Sequence, residues 1–356
     1  MTGSATAVLE ELRERVGAAQ RARRALRLVG GGTKDFYGES LSGEPLQLGG
    51  YRGILAYEPA ELVITARCGT PLSDIETALA AHGQFLAFEP PAFGADPTIG
   101  GVVAAGLSGP RRVYAGAVRD FVLGAKLLTA AGELLQFGGQ VMKNVAGFDV
   151  SRLLCGSLGI LGVITEVSLK VLPQPRAEES VRLDMAAATA VESFNRWSAR
   201  GVPISGAAWW AGQAWVRLSG SASAVRAAQA ELGGEHVGTQ TAREWWEGLR
   251  HCRAPLFQCG TLWRLSLPGA AAPLDLPGEP LIDWGGALRW YADPADGTAV
   301  RAAAAAAGGT ALCWRGVAPA GRFHPLTPAL ARLHQRLKER FDPHGIFNRG
   351  RLLAAL

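Results

Sequence analysis

The sequence predicts an α+β protein built from more than one domain, and three observations carry that prediction. Helical spacing (Val8, Leu9, Leu12, Val16) and strict strand alternation (Val163, Thr165, Val167, Leu169 and Val171 against Glu166, Ser168 and Lys170) occur in the same chain. The 356 residues exceed what one hydrophobic core usually serves. All ten tryptophans, from Trp197 to Trp314, lie beyond residue 175, so the composition changes where a domain boundary near residue 176 is expected.

Composition narrows the class. With 48% hydrophobic and 19% charged residues the chain reads as a compact globular protein. No uncharged apolar run reaches the ~18 residues a membrane span needs, and the N-terminus lacks the basic start and apolar core of a signal peptide. A cytoplasmic protein is expected. Five cysteines (Cys68, Cys155, Cys252, Cys259, Cys313) without a C-x-x-C pair argue against a disulfide framework and against a zinc or iron–sulfur site in this chain. The net charge of +5 is scattered along the chain, which gives nucleic-acid binding little support.

In order, residues 5–24 read as an amphipathic helix with an arginine-rich outer face. Leu26 to Val29 is a short strand that runs into Gly30, Gly31, Gly32, Thr33 and Lys34. Three glycines after a strand make either a tight turn or a loop whose N–H groups converge on an anion. Neither the dinucleotide fingerprint nor the Walker loop fits, because Asp35 stands where the first needs glycine and the Gly-Lys-Ser/Thr ending of the second is missing. Residues 61–67 form a strand, and Thr70 is expected to cap a helix with Pro71 at its first position and Leu72, Ile75 and Leu79 inward. Residues 85–88 read as a strand before the Glu89-Pro90-Pro91 turn. Thr98 can cap a short helix opening with Ile99, Gly100 and Gly101, either a bare phosphate-facing end or a packed glycine helix. Residues 119–128 and 133–137 read as a β-hairpin across Ala131-Gly132.

The stretch at residues 142–170 organises the rest. Asp149 caps a short helix with Val150, Leu153 and Leu154 on one face, and Gly156 suits the left-handed position behind it. Gly156, Gly159 and Gly162 leave backbone that something flat could approach closely, and a half-buried strand follows from Val163. The later region carries a helix around residues 244–250 and an alanine run, 302–307, ended by Gly308. Trp209-Trp210 and Trp245-Trp246 read as core or subunit contacts or, less simply, a substrate cage. In the tail, Thr327-Pro328 opens a helix with Leu330, Leu333 and Leu337 inward and Arg332, Arg336 and Arg340 outward, followed by a turn at residues 341–345.

Four blocks, LVGGGTKDFYG, the run from GTPLSDIE through FEPP to TIGGVVAAGLSGP, VRDFVLG with KNVAGFDVSRLLCGSLGILGVITEV, and FHPLTPALARLHQRLKERFDPHGIFNRGR, resemble the FAD-binding domain of the vanillyl-alcohol oxidase (PCMH-type) flavoproteins. Within that family they are similar to the FAD-binding subunits of glycolate oxidase. The blocks cover about the first 175 residues and the last 35. The resemblance implies a PCMH-type two-part FAD-binding domain at residues 1–176, an inserted α+β cap domain at 177–320, and a C-terminal segment at 321–356 returning to the FAD domain. It implies FAD as cofactor, with residues 30–34 around the pyrophosphate, Thr98, Gly100 and Gly101 in the second wall, and Pro91, Ile99 and Gly106 also among the cofactor-binding residues. Gly156, Ser157, Gly159, Ile160, Gly162, Val163 and Ile164 would run beside the adenine and ring portions, and Asn348 near the isoalloxazine. Thr33 and Lys34 stand where some relatives carry an attachment histidine, so FAD is expected to bind non-covalently.

The function so implied is that of an FAD-binding subunit of a glycolate (2-hydroxy acid) dehydrogenase or oxidase complex. A catalytic flavoprotein partner would take hydride from the substrate, and an iron–sulfur partner would carry electrons onward, with the complex in the cytoplasm or peripheral on the inner membrane. The histidine-rich, metal-associated motif of the larger hydroxy-acid-oxidising relatives has no counterpart among His324, His334 and His344. A self-sufficient oxidase would need a base, for which His236, His251 and Glu244 are candidates, and arginines such as Arg243, Arg250, Arg253 and Arg264 to clamp a carboxylate. The third reading is a structural subunit with a vestigial flavin site.

Overall fold

A computed structural model describes residues 2–139, 149–294 and 296–356. Residues 142–148 of the organising stretch lie outside them. The chain divides into two compact units. Unit 1 comprises Met1–Leu107, Ala117–Pro173 and Pro325–Leu356; unit 2 comprises Ser108–Gly116 and Gln174–His324. The short excursion Ser108–Gly116, which the sequence reading leaves in the first region, thus belongs with the tryptophan-rich unit. There Trp284 Nε1 donates to Gly109 O and the Arg111 guanidinium reaches Glu178 and Ser219.

The elements are α1 (Thr2–Ala22), β1 (Leu26–Val29), β2 (Glu44–Gln47), β3 (Ile54–Glu58), β4 (Val63–Arg67), α2 (Leu72–Ala80), β5 (Gln84–Phe85) and α3 (Ile99–Ala105), then α4 (Arg112–Ala115) in the excursion. Unit 1 resumes with α5 (Val118–Phe121), β6 (Val122–Leu128), β7 (Leu134–Gly138), α6 (Val150–Leu153), β8 (Val163–Lys170) and β9 (Leu172–Pro173). Five strands pair in the order β3-β4-β8-β6-β7, all antiparallel, while β1 and β2 form a separate parallel pair. Residues after the insertion return to β1: Leu26 N donates to Ile346 O and Asn348 N to Leu26 O. Leu12, Val16, Leu26, Leu46, Val163, Ile346 and Phe347 share one core, so the ends of the unit close on each other.

Several local expectations change. The expected half-buried strand is buried on both faces, because β8 is the central strand of its sheet and Ile164 and Ser168 are covered as well as Val163 and Val167. Thr70 does not cap α2. Its hydroxyl donates to Arg67 O at 2.7 Å and accepts from Gly53 N at 2.9 Å, while Leu72 N donates to Pro97 O. The inward face of α2 is as read, with Leu72, Ile75 and Leu79 buried, each worth about 1.5–3 kcal/mol. The strand at residues 85–88 shrinks to Gln84–Phe85, since Glu89 N donates back to Leu86 O and turns the chain. Residues 119–121 are helical instead of extended, because the Asp120 carboxylate accepts from Ala117 N and starts a turn. Asp149 does cap α6 by accepting from Arg152 N, but Leu153 stays 38% exposed and only Leu154 is buried.

Unit 2 continues with β10 (Ala177–Asp184), α7 (Ala187–Ala199), β11 (Ile204–Trp210), β12 (Gln213–Gly220), α8 (Ala222–Leu232), β13 (Glu235–Val237) and α9 (Thr239–Arg250). It then adds β14 (Leu262–Ser266), β15 (Leu281–Asp283), β16 (Leu288–Ala292), α10 (Gly297–Ala306) and β17 (Thr310–Arg315). Its eight strands form one antiparallel sheet, β13-β10-β12-β11-β15-β16-β14-β17. Read by halves, the order is fourth-first-third-second and then its mirror, so two split β-α-β units of ferredoxin-like connectivity meet at β11 and β15. The second half has no helix between β14 and β15. There Ala271, Leu274 and Leu276 of the Pro/Ala-rich connector pack on Trp263, Leu265 and Tyr291. The tail of unit 1 carries α11 (Pro328–Phe341), capped by Thr327, whose hydroxyl accepts from Leu330 N.

Candidate functional site

Unit 1 holds a cleft of about 830 Å³, counting its open mouth, within the range of cofactor pockets. Leu28, Gly30, Gly31, Gly32, Thr33, Lys34 and Asp35 line one side. Thr98, Gly100, Gly101, Ala104 and Ala105 line another, and Leu158, Gly159, Gly162, Ile164, Asn348 and Arg351 close it.

The glycines are required by neighbouring chain as well as by any ligand. A Cβ on Gly31 would lie 1.7 Å from Asp96 O, one on Gly30 2.3 Å from Thr98 Oγ1, and one on Gly100 2.6 Å from Cys68 Cβ. The loop after β1 therefore lies flat against residues 96–98. Among the described residues, none of the five backbone N–H groups from Gly30 to Lys34 donates to a protein acceptor. Gly31 and Gly32 are exposed and Gly30, Thr33 and Lys34 half-buried, so the row opens into the cleft as a set of donors that an anion can take from water. Lys34 adds a cation to it: burial pushes its ammonium down to about 8 from 10.5, with the Phe93 ring 5.9 Å away.

The second glycine segment behaves differently. Thr98 caps α3 by accepting from Gly101 N, Ile99 N donates to Thr70 O and Gly100 N to Cys68 O. The bare helix end read from the sequence is thus fully engaged, and the packed glycine helix is what forms. It contributes a smooth wall while the donors come from residues 30–34.

Two tail residues hold the cleft's shape. Asn348 accepts from Leu28 N at 2.7 Å and donates through Nδ2 to Leu158 O at 2.6 Å, bridging β1 and the second glycine loop. Gly159 has to be glycine beside it, since a Cβ would sit 2.9 Å from that Nδ2. Arg351 is buried and donates to the carbonyls of Lys34, Asp35, Tyr37 and Glu39. One guanidinium thereby folds the chain that leaves the anion loop. Asp35 is held by Arg27 at 2.8 Å. Lys338 is buried on α11, donating to Asp342, Ile160 O and Phe347 O at 2.7–2.8 Å.

The cleft brings together residues 30–34, Thr98, Gly100, Gly101, Gly159, Gly162, Ile164 and Asn348 of the sequence reading. Pro91, Ile99, Gly106, Gly156, Ser157, Ile160 and Val163 do not line it. Ile99 and Val163 point into the core at 0% exposure, and Pro91 is buried in its turn. Gly106 abuts Gly156 N, the Ser157 hydroxyl accepts from Gly159 N, and Ile160 presents its carbonyl to Lys338. Leu28, Asp35, Leu41, Leu48, Cys68, Ala104, Ala105, Leu158 and Arg351 were missed. Only Arg351 carried a signal, a charged residue between glycine and leucine in the tail. In unit 2 the candidate bases are engaged locally: His236 with Glu179, His251 with Glu247, and Glu244 with Gln240.

Known proteins match this chain at three levels. Residues 7–138 match the family described as FAD binding domain. Over 348 residues, 98% of each chain, the sequence is 48% identical to glycolate oxidase subunit GlcE of Escherichia coli (strain K12). Shorter matches are 33% identity over 141 residues to glycolate oxidase subunit GlcD of Bacillus subtilis (strain 168), 38% of this chain and 30% of that one, and 36% over 124 residues to a D-lactate dehydrogenase of Anaerostipes hadrus, 35% and 26%. Among solved structures, alkyldihydroxyacetonephosphate synthase superposes with a TM-score of 0.68 over 95% of this chain and 74% of that one, at 16% identity.

Proposed function

The chain belongs to the family of glycolate oxidase subunit GlcE, and from that premise we propose that it is the FAD-bearing subunit of a glycolate, or related 2-hydroxy acid, dehydrogenase or oxidase complex. The observation that carries the reading is the row of amides at residues 30–34 that no protein acceptor takes, beside the half-buried Lys34. A dianionic pyrophosphate needs convergent N–H donors and a nearby cation. Residues 30–34 would hold it, while Gly159, Gly162 and Ile164 would line the planar portions of the cofactor and Asn348 would fix that wall. FAD binds without covalent attachment; no histidine stands near the glycine loop in sequence. When bound, FAD supplies a two-electron acceptor, and the chain's own residues orient it and neutralise its phosphates.

The substrate is oxidised at a partner catalytic flavoprotein, and electrons leave through an iron–sulfur partner. Support comes from the relative's name as one subunit of an oxidase and from the cysteines. Burial pushes the thiols of Cys68, Cys155 and Cys252 up to about 12, which disfavours the thiolates that cluster ligation requires. Among the described residues no helix is long and apolar enough to cross a membrane, so membrane association would run through partners.

The purified chain supplies the test. Acid precipitation is expected to leave all flavin in the supernatant, and glycolate with an artificial acceptor is expected to turn over only when a catalytic flavoprotein partner is added. Flavin in the pellet would show a covalent bond. Brisk turnover by the chain alone would establish a self-sufficient oxidase instead.

A further inference from the structure

Helix α11 is held at its C-terminal end and leaves the apolar stripe of its first turns uncovered. Its buried residue is Lys338, in the node with Asp342, Ile160 O and Phe347 O. Leu330 is 46% exposed and Leu333 52%, while Leu337 is half-buried, so the first two turns of the leucine face expected to point inward face solvent. Among the described residues of unit 1 no other helix or strand packs extensively along it. A helix of this length on its own is marginal in water, and an amphipathic one draws its stability from covering its apolar stripe.

The spacing of Leu330, Leu333 and Leu337 puts them on one stripe, and Arg332, Arg336 and Arg340 form a row beside it at i, i+4 and i+8. Three arginines stand against Glu339 alone, because Lys338 is neutralised by Asp342 at 2.7 Å. A second copy of the chain would bring two arginine rows together, which is unfavourable at close range. The complementary surface is an apolar groove with an acidic rim, on a chain other than this one.

We propose that α11 is the docking helix for a second, non-identical subunit of the oxidase, the GlcD-type flavoprotein, seated through Leu330 and Leu333 with Arg332 and Arg336 facing carboxylates. This is helix-in-groove recognition, and it rests on the reading of the chain as an oxidase subunit. The docked helix then bears on the cofactor cleft through its other end. The Lys338 node fixes Ile160 and Phe347, which adjoin the cleft-lining Gly159 and Asn348.

The experiment co-expresses the full chain with a tagged GlcD-type subunit of the same oxidase and measures affinity and assembly mass. Leu330→Asp/Leu333→Asp is expected to weaken assembly about a hundredfold or more, with flavin content and melting temperature of the isolated chain unchanged. Arg332→Glu/Arg336→Glu is expected to weaken it most at low salt, and Leu153→Asp, an exposed leucine elsewhere, to leave it intact. Assembly of both α11 variants at wild-type affinity would overturn the docking role alone. Failure of the wild-type chain to bind the flavoprotein would overturn the subunit reading and the proposal with it. A wild-type homodimer abolished by the leucine pair would make a second copy the occupant, also against the proposal.

Discussion

The two units use their backbone and side chains in opposite ways. Around the cleft of unit 1, glycines at 30, 31, 100 and 159 let chain segments approach so closely that a methyl group would collide, and a row of amides is left without protein acceptors. Unit 2 fills its interior with aromatic rings and pairs several of their polar edges, though the buried Trp245 Nε1 has no acceptor among the described residues. Trp209, Trp246 and Trp284 donate to Met185 O, Ser180 Oγ and Gly109 O, and the Arg217 and Arg264 guanidinium groups lie 4.9 Å from the Trp246 and Trp284 rings. Polar groups satisfied from within stabilise a unit by itself, whereas donors left open at a cleft await a ligand. The contrast supports the proposed placing of the cofactor in unit 1, where the FAD binding domain match also falls.

The sharpest way to break that contrast is Gly31→Asp. The new Cβ falls 1.7 Å from Asp96 O, and its carboxylate adds negative charge where the pyrophosphate is proposed to sit. Flavin binding should fall by more than a hundredfold, read as loss of visible absorbance after gel filtration. The same change at Gly212 in unit 2, at φ +79° with no atom within 4 Å, should cost about 1–2 kcal/mol in backbone strain and leave the flavin in place. A folded Gly31→Asp protein with full flavin would mean that the loop does something else.

A middle-sized effect concerns Lys34. Its folded pKa of about 8 lies below the ordinary 10.5, so between those values the unfolded chain binds more protons and the apoprotein gains stability as pH rises. Anion binding has the opposite sign, because it favours the protonated lysine. FAD affinity should be flat below about pH 8 and weaken by about tenfold per pH unit above it, with Lys34→Met removing the dependence. Titration from pH 7 to 9.5 checks this, and a flat wild-type profile would separate Lys34 from the phosphates.

The smallest effect belongs to unit 2. Trp246→Phe removes the hydrogen bond to Ser180 Oγ and part of the surface stacked on Arg217, and should cost about 1–3 kcal/mol with unchanged flavin content. Denaturant unfolding with a flavin absorbance readout measures both. Loss of flavin there would show that the two units share the binding task.

Local chemistry was the legible part. The alternation from Val163, the caps at Thr98, Asp149 and Thr327, and the glycine row after β1 all depend on residues a few positions apart. What escaped depends on distant partners. Thr70 looks like a cap until Gly53 competes for its hydroxyl, and the Thr98 helix looks open until Thr70 O and Cys68 O take its amides. The leucines of α11 have the right period, but period does not say what covers them. The doubled strand order of unit 2 left no trace in spacing because its second half replaces a helix with an irregular connector. Arg351 was visible as a residue, but its four carbonyl acceptors lie more than three hundred positions upstream.

That distance sets an order of events during synthesis. The glycine loop leaves the ribosome early, all of unit 2 follows, and only then do Asn348 and Arg351 arrive to clamp it. At ordinary elongation rates roughly 10–35 s separate Pro173 from Arg351. Throughout that interval the nascent chain carries the donors of the cleft without the residues that hold them in place. On the proposed placing of FAD in this cleft, loading waits for the tail, and a product truncated within unit 2 lacks Asn348 and Arg351 to hold the cleft's shape.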